Sequence, residues 1–124
     1  MSKRERISKA YEAFNRRDAR AVFDLMTEDV DWPNAILGTR LLGYEAIRAY
    51  WDGQWASIDP QVTPVAIDEI DADRVAVRVH QVVRDSAGNV LLDQLVNHIY
   101  TFRGELICRM DIRPAHGTGN DASG

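Results

Sequence analysis

The sequence predicts an α+β fold in which three N-terminal helices lie on one face of a curved antiparallel sheet. Three observations carry this. Apolar residues recur at helical spacing through the first half of the chain. From about Gln61 the period changes to two. Short turn-forming clusters then separate the apolar runs. Helices first and hairpins afterwards is an α+β order. Where the helices do not fill the curve of the sheet, a cone-shaped pocket is left.

Ile7, Ala10, Tyr11 and Phe14 fall at i, i+3, i+4 and i+7, which marks a helix over residues 3–17. Asp18 can cap a second short helix that turns Val22, Phe23, Leu25 and Met26 inward. Val30-Asp31-Trp32 reads as a short strand stopped by Pro33, and residues 33–43 as a loop. A third helix runs from about Tyr44 to Ser57, and Asp59-Pro60 ends it. Four strands follow: 61–70, one through Val75–Val83, 90–102 and 105–112. Turns are expected at 85–89 and at Arg103-Gly104. Residues 1–113 form one domain, and 114–124 have the composition of a disordered tail.

The chain has 124 residues, enough for one domain with a core and one pocket. Its net charge is −4, which argues against a nucleic-acid partner. Seven basic residues fall in the first 20, a solvated helix face or a patch that recruits a protein. The single cysteine, Cys108, excludes an intrachain disulfide and a multi-cysteine zinc site. No apolar run is long enough to span a membrane, and no signal peptide is recognisable. A cytoplasmic location is expected.

Sharp motifs are missing: no glycine-rich phosphate loop, no His-Glu-x-x-His, no Gly-x-Ser-x-Gly. His80, His98 and His116 have no metal-ligand spacing. No metal and no cofactor are therefore expected. The last hairpin says more. With a two-residue turn at Arg103-Gly104, His98 would lie opposite Arg109, and Asp111 diagonal to His98. A carboxylate, an imidazole and a guanidinium would then share one surface with Tyr100 and Phe102. Facing the pocket, they would form a tuned acid/base group; facing water, an ordinary strand surface. The opposite face, Leu106, Cys108, Met110 and Ile112, would need a second subunit as cover. For the strand before it, one register turns Arg78 and His80 inward; the other buries Val75, Val77 and Val79, with Gln81 beside them.

Tyr11-Glu12-Ala13-Phe14-Asn15-Arg16-Arg17-Asp18, Phe23 to Trp32, Gly43-Tyr44-Glu45-Ala46-Ile47 and the hairpin Tyr100 to Ile107 follow one another along the chain. Over residues 5–113 this set resembles the SnoaL-like branch of the nuclear-transport-factor-2-like superfamily. That superfamily includes polyketide cyclases, ketosteroid isomerase and limonene-1,2-epoxide hydrolase. The resemblance implies a cystatin-like α+β barrel, with a pocket between sheet and helices and a homodimer packed through the outer sheet face. It places Asp111, seven residues after Gly104, and His98 at family positions facing the pocket.

The resemblance also has gaps. The isomerase's general-base aspartate falls at Trp32, and its first-helix tyrosine near Ala10. The hydrolase's Arg-x-Asp is matched by Arg78-Val79-His80, with imidazole in place of carboxylate. Its first-strand Tyr-x-Asn keeps only Asn34.

The functional expectation follows. An apolar, cyclic or polyketide-like small molecule binds in the pocket. Asp111 acts as general base or acid, with His98 polarising a carbonyl or hydroxyl. Arg109 holds Asp111 ionised. Trp32, Tyr50, Trp51, Trp55 and Tyr100 line the pocket or fill the core. Asn34 serves the turn or touches ligand, and Arg78 and His80 face either the pocket or the outside. The reaction is isomerisation or cyclisation, with epoxide hydration second. A non-catalytic binding or dimerisation module is the alternative.

Overall fold

The computed structural model describes residues 1–114. The elements are α1 (Lys3–Asn15), α2 (Ala19–Phe23), β1 (Met26–Asn34), β2 (Thr39–Leu42), α3 (Gly43–Ser57), β3 (Asp59–Glu69), β4 (Arg74–Arg84), β5 (Val90–Arg103) and β6 (Leu106–Pro114). Of the expected tail, Pro114 closes β6, and residues 115–124, His116 among them, lie outside the described residues.

Four local devices seat the helices. Ser2 and Glu5 form a reciprocal cap: Ser2 Oγ accepts from the Glu5 N–H at 3.1 Å, and the Ser2 N–H donates to Glu5 Oε1 at 3.0 Å. Asp18 caps α2 by accepting from the Ala21 N–H at 3.1 Å. Between them, the Asn15 side chain acts as a strand. Its Nδ2 donates to the Val62 carbonyl at 2.8 Å and its Oδ1 accepts from the Val62 N–H at 3.0 Å. This docks the end of α1 on the edge strand β3. Gly43 opens α3 at φ +84, where a Cβ would meet the Glu28 carbonyl at 3.3 Å.

The strands form one curved six-stranded sheet in the order β2-β1-β6-β5-β4-β3. Every pairing is antiparallel except β1 with β6, which is parallel. The helices cover the inner face, and the core between them includes Ile7, Val30, Ile47, Trp51, Val75 and Ile107. Two expectations in the first half are corrected. β1 continues through Pro33 to Asn34, because beyond Asp31 it pairs with β2 and has left β6, where proline's missing N–H would matter. Part of the expected loop is therefore strand β2.

The register of β4 buries Val75, Val77 and Val79 and turns Arg78 and His80 to the outer face. Burying three valines is favourable, whereas enclosing a guanidinium and an imidazole there would leave them without partners.

The last hairpin differs from the expected register. The turn is Gly104-Glu105, so Arg103 pairs with Leu106 and Phe102 with Ile107. Cys108 is then an extra residue, and Thr101 pairs with Arg109, Ile99 with Asp111 and His98 with Ile112. The bulge lets Ile107 and Met110, three positions apart, both enter the core. It also sends Arg109 and Asp111 to the outer face, away from His98. The expected apolar strip is broken up, since Met110 and Ile112 turn toward the helices. The need for a second subunit over that strip lapses with it.

Candidate functional site

A cavity of about 110 Å³ lies between the helices and the inner sheet face. Apolar and aromatic side chains make its walls, Phe14, Trp32, Trp51 and Met110 among them. Its polar lining comes from Tyr11, Tyr50, Gln54, Gln81, His98 and Tyr100. Among the described residues, no Asp, Glu, Lys or Arg lines it. Such a space, close to the size that accepts benzene in a cored protein, suits a single ring.

Three of these groups form a chain. Tyr11 Oη, from the buried stripe of α1, lies 2.7 Å from Tyr100 Oη and 2.7 Å from His98 Nδ1. Tyr100 and His98 sit two apart on β5, so both point to the same face. All three are buried, and His98 is 8% exposed. Burial pushes the His98 imidazole down from 6.5 to about 4, so the ring is neutral at pH 7. Burial, with Tyr100 beside it, pushes the Tyr11 hydroxyl well above its ordinary value. Burial also raises Tyr100. His98 Nε2 has no hydrogen-bond partner among the described residues, yet it is not one of the enclosed, partnerless side-chain atoms. The His98 side chain is one of those that line the cavity.

At the rim, Tyr50 Oη accepts from the Ala35 N–H and from Gln54 Nε2, each at 3.3 Å. Asn34 Oδ1 accepts from the N–H groups of Ile36 and Leu37 at 3.1 and 3.0 Å. Asn34 thus serves the turn, and that turn carries Ala35 to the cavity wall.

Asp111 and Arg109 belong to a different structure on the outer face. Arg109 binds Asp111 through Nε at 2.9 Å and Nη2 at 3.0 Å, and reaches Asp31 through Nη1 at 2.9 Å. Arg40 joins the same two carboxylates, at 2.6 Å to Asp31 and 3.2 Å to Asp111. It also donates to the carbonyls of Asp31 and Met110. Two arginines and two aspartates so tie β2, β1 and β6 across the parallel seam. The Arg109 guanidinium holds the Asp111 carboxyl below its usual range.

Of the expected site residues, Trp32, Tyr50, Trp51, His98 and Tyr100 come together in the cavity. Trp55 stands outside the lining, packed on Phe14 with the Arg17 guanidinium 5.5 Å over its ring. His80 is on the outer face, 2.6 Å from Asp93, and Arg78 shares that face. The expected meeting of His98, Arg109 and Asp111 does not occur. Tyr11, Gln54 and Gln81 were not expected at the site. The signal for Tyr11 was a phenol on an otherwise apolar helix stripe, since a buried hydroxyl needs a partner.

A helix-covered sheet with one neutral, aromatic cavity defines a small-molecule pocket domain. The chain belongs to the SnoaL-like domain family, whose model matches residues 7–110. No curated protein matches the sequence. Among solved structures, TerC co-crystallised with polyporic acid is 25% identical, with a TM-score of 0.78 over 89% of this chain and 88% of that one. An NTF2-like protein of unknown function from Burkholderia pseudomallei K96243 is 22% identical, with a TM-score of 0.79 over 91% of each chain. A candidate polyketide cyclase from Xanthomonas campestris pv. campestris is 25% identical, with a TM-score of 0.72 over 90% of this chain and 91% of that one. No helix among the described residues is long and apolar enough to cross a membrane.

Proposed function

We propose that the protein binds an apolar, ring-containing small molecule of polyketide-like type. His98 touches an oxygen of that molecule and assists proton transfer in an isomerisation or cyclisation. The observation that carries this reading is the aromatic cavity with the neutral His98 imidazole in its lining and Nε2 without a hydrogen-bond partner among the described residues. A neutral imidazole can polarise a carbonyl without the cost of a buried charge. The family membership and the TerC complex support a small-molecule site.

Two features shape the proposal. Asp111 is not in the cavity lining, so in this reading it ties the sheet seam, and the moving proton is carried by substrate, water or His98. Among the described residues the lining holds no carboxylate to activate water for addition to an epoxide. The same observation favours a second reading, binding without turnover.

The test is a panel of cyclic ketones and polyketide-like esters. Binding and turnover are measured separately for the native protein and His98→Ala. Binding with turnover that falls in His98→Ala supports the enzyme. Binding with no turnover supports the carrier. No binding by any member contradicts both.

A further inference from the structure

Resting on the reading of this cavity as the ligand site, we infer that Tyr100 and Tyr11 fix His98 as a hydrogen-bond donor toward the cavity, so that the ligand it selects presents an acceptor oxygen, a ketone or enolate, at Nε2. Tyr100 is 2% exposed, and its hydroxyl proton has one acceptor among the described residues, Tyr11 Oη at 2.7 Å. Leaving that proton unmade in a buried place is costly, so Tyr100 donates. Tyr11 thereby accepts, and its own proton goes to the other neighbour at 2.7 Å, His98 Nδ1. A ring nitrogen that accepts carries no proton. The one ring proton of the neutral imidazole is then on Nε2, the ring nitrogen that has no partner among the described residues, on a side chain that lines the cavity.

The opposite polarity has His98 donating from Nδ1, Tyr11 donating to Tyr100, and the Tyr100 proton without an acceptor. Among the described residues, no group other than Tyr11 is hydrogen-bonded to the Tyr100 hydroxyl. The groups around His98 are Tyr11 from α1, Tyr100 from β5, Val77 from β4 and Ile112 from β6. Among the described residues, no charged side chain lines the cavity. The buried phenol at the far end thus sets the tautomer two bonds of the chain away. Tyr11 and Tyr100 are positioning residues for His98, and they act on ligand choice without touching the ligand's oxygen.

Specificity follows from that polarity. A carbonyl oxygen finds a donor at Nε2, whereas an alkene of the same shape leaves that donor unpaired. A pair of probes isolates the effect: acetophenone, and α-methylstyrene, in which CH₂ replaces the oxygen. The protein is labelled with ¹⁵N on its histidine rings, and His98 is assigned by its loss in His98→Gln. Its tautomer is read at pH 7, and both probes are titrated into the native protein, Tyr100→Phe and Tyr11→Phe.

The expected spectrum shows His98 protonated at Nε2. Acetophenone should bind about tenfold more tightly than α-methylstyrene, the scale of one neutral hydrogen bond. Tyr100→Phe should leave His98 with both tautomers and narrow the preference to about threefold or less. If that variant fails to fold, Tyr11→Phe takes its place with the same expectation. A proton on Nδ1 in the native protein overturns the inference whatever the probes do. Equal binding of the two probes overturns it as well. Failure of both probes to bind, with the Nε2 tautomer present, counts against the cavity as the ligand site and leaves the relay standing.

Discussion

Tyr11 and His98 stand 87 positions apart in the sequence and meet at 2.7 Å on the cavity floor. The contact joins the first helix to the fifth strand at the one place where, among the described residues, the inner sheet face carries an imidazole. Around it the cavity is aromatic and uncharged. The same contact links burial, protonation and function, because the ring stays neutral there only while the fold keeps water away.

Stability should therefore depend on pH through His98. Burial holds its folded value at about 4 against 6.5 in the unfolded chain. The unfolded form takes up the proton first as pH falls, so stability is full above 6.5, declines toward 4 and flattens below it. The part due to His98 is about 3 kcal/mol at most. Urea unfolding between pH 7.5 and 4, compared with His98→Gln, isolates it. An equal pH slope in both proteins would contradict the burial account.

Asp111→Asn should lower stability by about 1 kcal/mol, since its lattice partners are partly exposed and solvent screens them. Ligand affinity should stay within about twofold, because the residue lies on the face opposite the cavity. Chemical denaturation and probe titration measure the two effects. A large loss of affinity with stability intact would return Asp111 to the site.

Asn15→Ala removes both bonds to Val62 on the edge strand. A loss of about 2 kcal/mol is expected, with hydrogen exchange rising first in β3. Uniform exchange loss across the sheet would show that Asn15 does not act locally.

Gly43→Ala places a Cβ at φ +84 and 3.3 Å from the Glu28 carbonyl. The expected cost is about 1–2 kcal/mol, read by thermal unfolding. A neutral result would mean that the backbone entering α3 relaxes freely.

The helices and most of the strands were legible because burial imposes its period on composition. Ile7, Ala10 and Tyr11 mark α1, and the alternating valines mark β4. What the sequence hides is register. One bulged residue, Cys108, reverses which side of β6 faces inward, and nothing in the local composition marks it. That reversal moved Asp111 from the pocket to the lattice with Arg40, Arg109 and Asp31. β2 was obscured because it is four residues long and mostly exposed. Tyr11 was legible as core but not as a hydrogen-bonding group, since its partners come from a strand far along the chain.

The most direct test is a map of where a ligand lands. Acetophenone titrated into the ¹⁵N- and ¹³C-labelled protein should shift the resonances of Tyr11, Trp32, Tyr50, Trp51, His98 and Met110, which line the cavity. Shifts confined to Arg78, Asn97, Ile99 and Arg113 on the outer sheet face, or none at all, would contradict the assignment of the cavity as the binding site.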